Sequence, residues 1–349
     1  MFFKTLNWYE IFNFSRDERR LPMKILVTGG SGFIGRTVVS DLLAHNFAVR
    51  VLDKTREGLT EIKDPSLELI QGGIEDPEKV QEAVTGVEVI FHLAETFSAN
   101  PYEVLDIDIR GNLNLLKAAT EHGVKHFLFA STHRVYGRPR YLPIDEEHPL
   151  HPEESGRALY ATAKLANEKL CLIYFQEHNL PVTIFRFWWS FAHKIGGKVL
   201  RSMIDTALRG EPIIVPEQAG GNFLHNDDAA LAFRKATLNS LAYGETFNIS
   251  SGTFTSWVEL AELVLEVTDS SSRLELIPKG ERGEEPIMGT DHSIYYECNL
   301  DISKAERLMG YKPRYDPQDI KGLLREAIKD LVLTRKKGMS KNTRSNPKK

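Results

Sequence analysis

Apolar and polar positions alternate between short apolar runs and longer amphipathic stretches. Residues 24–27 have strand character and feed a glycine-rich turn, and residues 33–43 then take helical spacing. A second strand pattern covers 48–53, a short third covers 67–71, and 77–84 reads as a helix. Residues 87–93 are nearly all apolar, as in a strand buried on both faces of a parallel sheet. Helical spacing at 104–121 and 159–178 alternates with apolar strands at 126–130 and 182–187. This order predicts an α/β fold with a doubly wound parallel sheet. Past Phe187 the pattern loosens into short Gly- and Pro-rich segments, followed by helical stretches at 257–267 and 302–309. We read these as a smaller C-terminal lobe that begins near Ser190. The chain shows no internal repeat.

The first strand-to-helix turn carries Gly29, Gly32 and Gly35 in G-x-x-G-x-x-G spacing. Such a turn bends sharply, lets backbone approach a pyrophosphate, and aims a helix N-terminus at it. Eighteen residues past Gly35, Asp53 ends the second strand, where a dinucleotide fold places the acid for the adenine-ribose hydroxyls. Its charge would repel a 2′-phosphate and so favours NAD over NADP. Lys54 and Arg56 weaken that preference. The pattern therefore predicts a Rossmann-type sheet that binds NAD.

Bulk properties narrow the picture little. The chain has 349 residues, 42% of them hydrophobic and 26% charged, with a net charge of −4, so no polyanion partner is implied. Cys171 and Cys298 are too few for a cysteine metal cluster, and no apolar run reaches membrane-spanning length. Residues 1–22 mix Trp8, Tyr9 and Phe14 with Glu10, Asp17 and Glu18, which is not the order of a secretory signal. They are expected to form an N-terminal extension with a short surface helix, on a cytoplasmic protein. Residues 333–349 are basic and are expected to be a disordered tail.

Tyr160 and Lys164 stand at i and i+4, which places a phenol and an ammonium on one helical face. A cation there would lower the phenol pKa toward the working range of a base. Ser131 and Thr132 end a buried strand, at the sheet edge where ligands bind. Thr132 can bond a substrate hydroxyl there, or cap the following loop.

The ordered set of glycine turn, Asp53, His92-Leu93-Ala94, Ser131-Thr132 and Tyr160/Lys164 resembles the extended short-chain dehydrogenase/reductase family, the NAD-dependent epimerase/dehydratase group. Further matches are residues 111–116, 223–228, 247–252 and 301–305, so the resemblance runs from about residue 23 to 331. It implies Tyr160 as the catalytic base and acid, Lys164 on the nicotinamide ribose, and Thr132 as the family's Ser/Thr. It also implies NAD contacts from Gly29, Gly32, Phe33, Ile34, Gly35, Asp53, Lys54, Ile74, Leu93 and Ala94. The implied organisation is a cofactor domain over 23–189 with a returning segment near 223–250. The substrate lobe then takes 190–222 and 251–332. The implied partner is a small-molecule substrate, a nucleotide sugar, with neither nucleic acid nor membrane. A homodimer through the helices at 104–121 and 159–178 is also implied.

Several positions depart from the family pattern. Gly72-Gly73 replaces Gly-Asp, and Asp108 replaces an Asn. Trp189 stands where the family holds the sugar diphosphate with an Asn, and Gly221-Asn222-Phe223 lacks an expected arginine, with Arg157, Arg201 and Arg282 as candidate substitutes. His133 and Arg134 replace the Asp and Glu that perform elimination in the dehydratases, which argues against 4,6-dehydration. His133 can serve as an acid or base, or simply face the loop. The tryptophans can stack on a ligand or pack the core. The expected activity is epimerisation of a nucleotide sugar through a keto intermediate. The alternatives are an NAD(P)-dependent dehydrogenase or reductase of a non-nucleotide substrate, and a non-catalytic NAD-binding regulator.

Overall fold

The first layer of the chain runs β1 (Lys24–Thr28), α1 (Gly35–Ala44), β2 (Ala48–Asp53), β3 (Leu67–Gln71), α2 (Pro77–Val84), β4 (Val89–His92), α3 (Pro101–Val104), α4 (Gly111–Glu121), β5 (His126–Thr132), α5 (Ala158–His178) and β6 (Val182–Phe187). These bounds come from a computed structural model, which describes residues 22–192, 198–278 and 296–344. The expected N-terminal extension, apart from its last residue, and Arg282 lie outside the described residues.

The remainder runs β7 (Ser190–Phe191), α6 (Lys198–Arg209), β8 (Ile213–Pro216), β9 (Gly220–Gly221), β10 (Leu224–His225), α7 (Asn226–Ala236), β11 (Glu245–Ile249), β12 (Thr255–Ser256), α8 (Trp257–Thr268), β13 (Leu274–Ile277), β14 (Glu297–Cys298), α9 (Ser303–Met309) and α10 (Pro317–Arg344). Seven strands form one parallel sheet in the order β11-β6-β5-β4-β1-β2-β3. This is the doubly wound Rossmann-type architecture that the apolar runs predict. Strands β4, β5 and β6 are buried along their whole length, because helices cover both faces. Strand order reverses at β1, which pairs with both β2 and β4, so a crevice opens at the carboxyl ends of β1 and β4.

A second apolar core joins α6, α8, α10 and β8 to Trp188, Phe223 and Trp257. It holds Tyr136 and Ile144 from the chain after β5, so the two cores meet beside the carboxyl end of the sheet.

Two local expectations need correction. The stretch at 104–121 is not one regular helix: α3 leads into a π-helical segment, Leu105–Arg110, and only then into α4. The segment after 332 is not a disordered tail up to Arg344, because it forms the end of α10. Ile320, Leu324, Ala327, Ile328 and Val332 recur at helical spacing and bury one face of α10, and Arg335 pairs with Asp205 of α6 at 2.9 Å. No described helix is long and apolar enough to cross a membrane.

Candidate active site

The glycine turn is built by close approach. Gly29 has φ +70°, and a Cβ there would lie 2.7 Å from the Ala94 amide nitrogen. A Cβ on Gly35 would lie 2.1 Å from the Gly29 carbonyl, so only glycine lets α1 start against the turn. At Gly32 a Cβ would meet only the Gly29 oxygen, at 3.0 Å, and would otherwise stand in open space. No side chain caps α1, so its N-terminus is open to an anion. Phe33 and Ile34 are half-buried on the turn. The Phe33 carbonyl accepts a 2.8 Å bond from Asn226 at the start of α7, which ties the turn to the returning segment.

Asp53 lies beside this turn. Its Oδ2 accepts from the Ser31 amide at 2.9 Å and its Oδ1 from the Thr55 amide at 3.1 Å. Each oxygen retains a lone pair for a ribose hydroxyl. Leu93 and Ala94 border the crevice from β4, where their amides donate to the backbone oxygen and Oγ1 of Thr28. These residues form a cradle that fits a dinucleotide. Two expected contacts sit differently. Lys54 is drawn to Glu75, 2.7 Å away. Ile74 buries its side chain in the core against Gly111, which leaves only its backbone for a ligand.

Helix α5 carries Tyr160 and Lys164 to the same end of the sheet. The Lys164 ammonium is buried and donates to the Ala130 carbonyl at 2.7 Å, which ties α5 to the tip of β5. It lies 5.8 Å from the centre of the Tyr160 ring. Phe97 stacks on that ring at 5.9 Å, and the Arg157 guanidinium sits 5.0 Å from the ring centre. Thr132 ends β5, but its Oγ1 accepts from the Arg134 amide at 3.3 Å and caps the turn His133–Tyr136. It therefore performs the capping role, with its hydroxyl proton still to donate.

One electrostatic expectation is reversed. In the protein without cofactor, other influences on the phenol outweigh any help from Lys164. Burial, then the charge of Glu95, hold Tyr160 well above the ordinary tyrosine range, while Arg134 and Arg157 oppose them. Glu95 also pairs with Lys164, its carboxylate 2.7 Å from the ammonium. Sequence reading passed over Glu95, although it directly follows Ala94 at the strand tip that borders the crevice.

Asp108 sits in the π-helical segment and accepts from the Thr96 amide at 2.7 Å, which pins the loop that carries Glu95 and Phe97. Burial raises its pKa to about 6, against the bond from Thr96 and the charge of Lys164. A carboxyl raised on folding favours the folded state below the unfolded pKa, and that advantage is lost as pH rises through about 6. Asp108→Asn keeps an acceptor for Thr96 without a charge to bury. It should raise stability by about 2–3 kcal/mol at about pH 7 and by less at about pH 5. Melting curves of both proteins at the two pH values check this, and equal gains at both would refute it.

The departures fall mostly into packing. Trp188 and Trp257 are buried, Trp189 stacks on Trp188 at 5.7 Å, and Phe223 meets Trp188 edge-on at 4.9 Å. Asn222 is buried and bonds Asn299 and the Leu300 amide. His133 is buried against the Phe187 carbonyl at 3.2 Å and does not face a solvent loop.

Comparison with known proteins agrees with the fold. The profile of the NAD dependent epimerase/dehydratase family matches residues 25–250. A putative UDP-glucose 4-epimerase of Methanocaldococcus jannaschii is 31% identical over 88% of this chain and 97% of its own. A dTDP-glucose 4,6-dehydratase of Actinoplanes is 29% identical over 85% of this chain and 95% of its own. The structure of a UDP-glucose 4-epimerase from Thermotoga maritima with UDP-glucose superposes with a TM-score of 0.72 at 26% identity, covering 91% of this chain and all of that one.

Proposed function

Since this chain belongs to the NAD dependent epimerase/dehydratase family, we propose that it is an epimerase of a nucleotide sugar and retains its NAD through each turnover. The observation that carries this reading is the placement of Tyr160 and Lys164 on α5, at the carboxyl end of β5 beside the glycine cradle. Gly29, Gly32, Phe33, Ile34 and Gly35 would hold the pyrophosphate, Asp53 the adenine ribose, and Leu93 and Ala94 the wall of the crevice. Bound NAD supplies the acceptor and donor of hydride. Tyr160 takes the proton from the sugar hydroxyl and returns it, Lys164 orients the nicotinamide ribose, and Thr132 donates a bond to the reacting oxygen. His133 and Arg134 offer no carboxylate for elimination, which favours epimerisation over dehydration. We place a homodimer contact on the helical faces with the exposed Leu105, Leu159 and Ile173.

A second reading, a dehydrogenase or reductase of a non-nucleotide substrate, draws on Trp189. Its ring is committed to Trp188 and Trp257, with no amide offered to a diphosphate. The two readings separate in one experiment. The purified protein is denatured, the released small molecules are weighed, and fresh protein is incubated with UDP-glucose or UDP-galactose. The epimerase reading expects released NAD and interconversion of the two sugars with no net NADH. No conversion of these or other nucleotide sugars, with NADH accumulating on a simpler alcohol, would replace it with the second reading.

A further inference from the structure

One departure from the family pattern, Gly72-Gly73 in place of Gly-Asp, is answered by a side chain two residues on. A Cβ on Gly73 would overlap the carboxyl carbon and both oxygens of Glu75. The backbone at Gly73 is not left-handed, so glycine serves there for room and not for conformation. The Glu75 carboxylate thus fills the space in which a side chain at position 73 would begin. An acid still reaches this place, from position 75.

That place adjoins the ribose end of the cradle. Strands β2 and β3 run parallel with Asp53 opposite Gln71, and the Gly72 amide donates to the Asp53 carbonyl at 3.0 Å. The glycine turn follows β1, Asp53 ends β2, and Glu75 follows β3, the outermost strand of the sheet. A dinucleotide laid across these three tips sets its pyrophosphate first, its adenine ribose next and its base last. The turn under the base is anchored. The Asp76 amide donates to the Gly73 carbonyl at 3.3 Å, Asn114 donates to the Ile74 carbonyl at 3.1 Å, and Asp76 caps α2.

Only one oxygen of Glu75 has a partner. Its Oε1 lies 2.7 Å from the Lys54 ammonium. Its Oε2 is shielded from water and has no donor among the described residues. A carboxylate oxygen withdrawn from water without a donor is unfavourable, so a ligand that brings one gains by it. The amino group at C6 of adenine is such a donor.

We propose that Glu75 is a cofactor-binding residue that reads the adenine base. Its Oε2 accepts a hydrogen bond from the 6-amino group, Lys54 holds Oε1, and Gly73 makes the room. Lys54 is then committed to Glu75 and not to a 2′-phosphate, which agrees with the NAD preference expected from Asp53. This contact rests on the NAD cradle of the proposed function and is independent of the sugar chemistry.

The full-length chain, freed of resident dinucleotide with charcoal, is titrated calorimetrically with NAD and with nicotinamide hypoxanthine dinucleotide. The second ligand carries an oxygen in place of the 6-amino group, so it meets the carboxylate with an acceptor. The wild type should bind it at least about ten-fold more weakly than NAD, as expected for a lost bond to a charged acceptor. In Glu75→Ala that ratio should fall below about three-fold. Gly73→Ala puts a methyl group where the carboxylate lies and should lower the ratio in the same way. Gly73→Asp in the Glu75→Ala background returns a carboxylate to this place and should restore it. A ratio of two ligands on one protein is insensitive to a general loss of stability. A wild-type ratio near one, or a ratio unchanged in Glu75→Ala, would overturn the proposal. Failure of both dinucleotides to bind would overturn the cofactor site and this contact with it. Absence of nucleotide-sugar turnover would bear on the proposed function alone and leave these ratios unchanged.

Discussion

Tyr160→Phe is expected to lower turnover about 10²–10⁴-fold, the usual contribution of a positioned acid or base. The substitution removes one oxygen and keeps the ring. Phe97 can still stack on it and Arg157 can still sit over it, so the surrounding structure has little cause to move. The cradle at Gly29–Gly35 and Asp53 lies apart from the lost hydroxyl, so NAD affinity should hold. The check is turnover of the identified substrate alongside NAD titration by thermal shift. A variant that binds NAD normally and retains more than about a tenth of the activity would remove Tyr160 as the proton carrier.

The second large effect is on stability. Arg186 and Glu168 form a buried pair, with 2.7 Å between Nη2 and Oε2 and 3.0 Å between Nε and Oε1. Glu168 also accepts from the Ser131 hydroxyl, and Arg186 donates to Tyr136 at 3.0 Å. Tyr136 passes the network on to Asn248 of β11 at 2.7 Å. Burial opposes the Arg186 charge, yet Glu168 and Tyr136 hold it firmly protonated. Arg186→Met leaves a carboxylate buried without its cation and should cost about 3–5 kcal/mol in urea unfolding. Arg186→Met/Glu168→Gln should recover part of that loss, because the stranded charge is gone. A single-variant cost below about 1 kcal/mol would show that the pair does not secure the sheet edge. Glu168 is one turn beyond Lys164 on α5, so the pair also sets the depth at which Tyr160 meets the sheet.

Much of this was legible in the order of residues. The strands at 24–28, 48–53 and 182–187 declare themselves because burial on both faces of a parallel sheet demands mainly apolar residues, even where Arg50 and Arg186 interrupt them. The glycine turn is readable because a Cβ at Gly29 or Gly35 would strike backbone. Strand β11 is harder to see: Glu245-Thr246-Phe247-Asn248-Ile249 is a mixed run, and a motif match marked it better than its pattern did. The π-helical segment is not legible in periodicity, because Leu105-Asp106-Ile107-Asp108-Ile109-Arg110 simply alternates apolar and polar residues. The state of Tyr160 was hard to read for a tertiary reason: the fold buries the phenol and brings Glu95, 69 residues before Lys164, beside it. The paired tryptophans are ambiguous in sequence, since stacking on a ligand and packing on Trp257 require the same residues.

The bond from Asn226 to the Phe33 carbonyl spans 193 residues. During synthesis the first half of the sheet leaves the ribosome long before α7, and contacts of such sequence separation form late. The glycine turn must therefore wait for this support until α7 has been made. A nascent chain halted before α7 would carry every glycine of the motif and still lack a finished nucleotide pocket. On the proposed function, cofactor capture would follow the meeting of these distant segments and so come late in biogenesis.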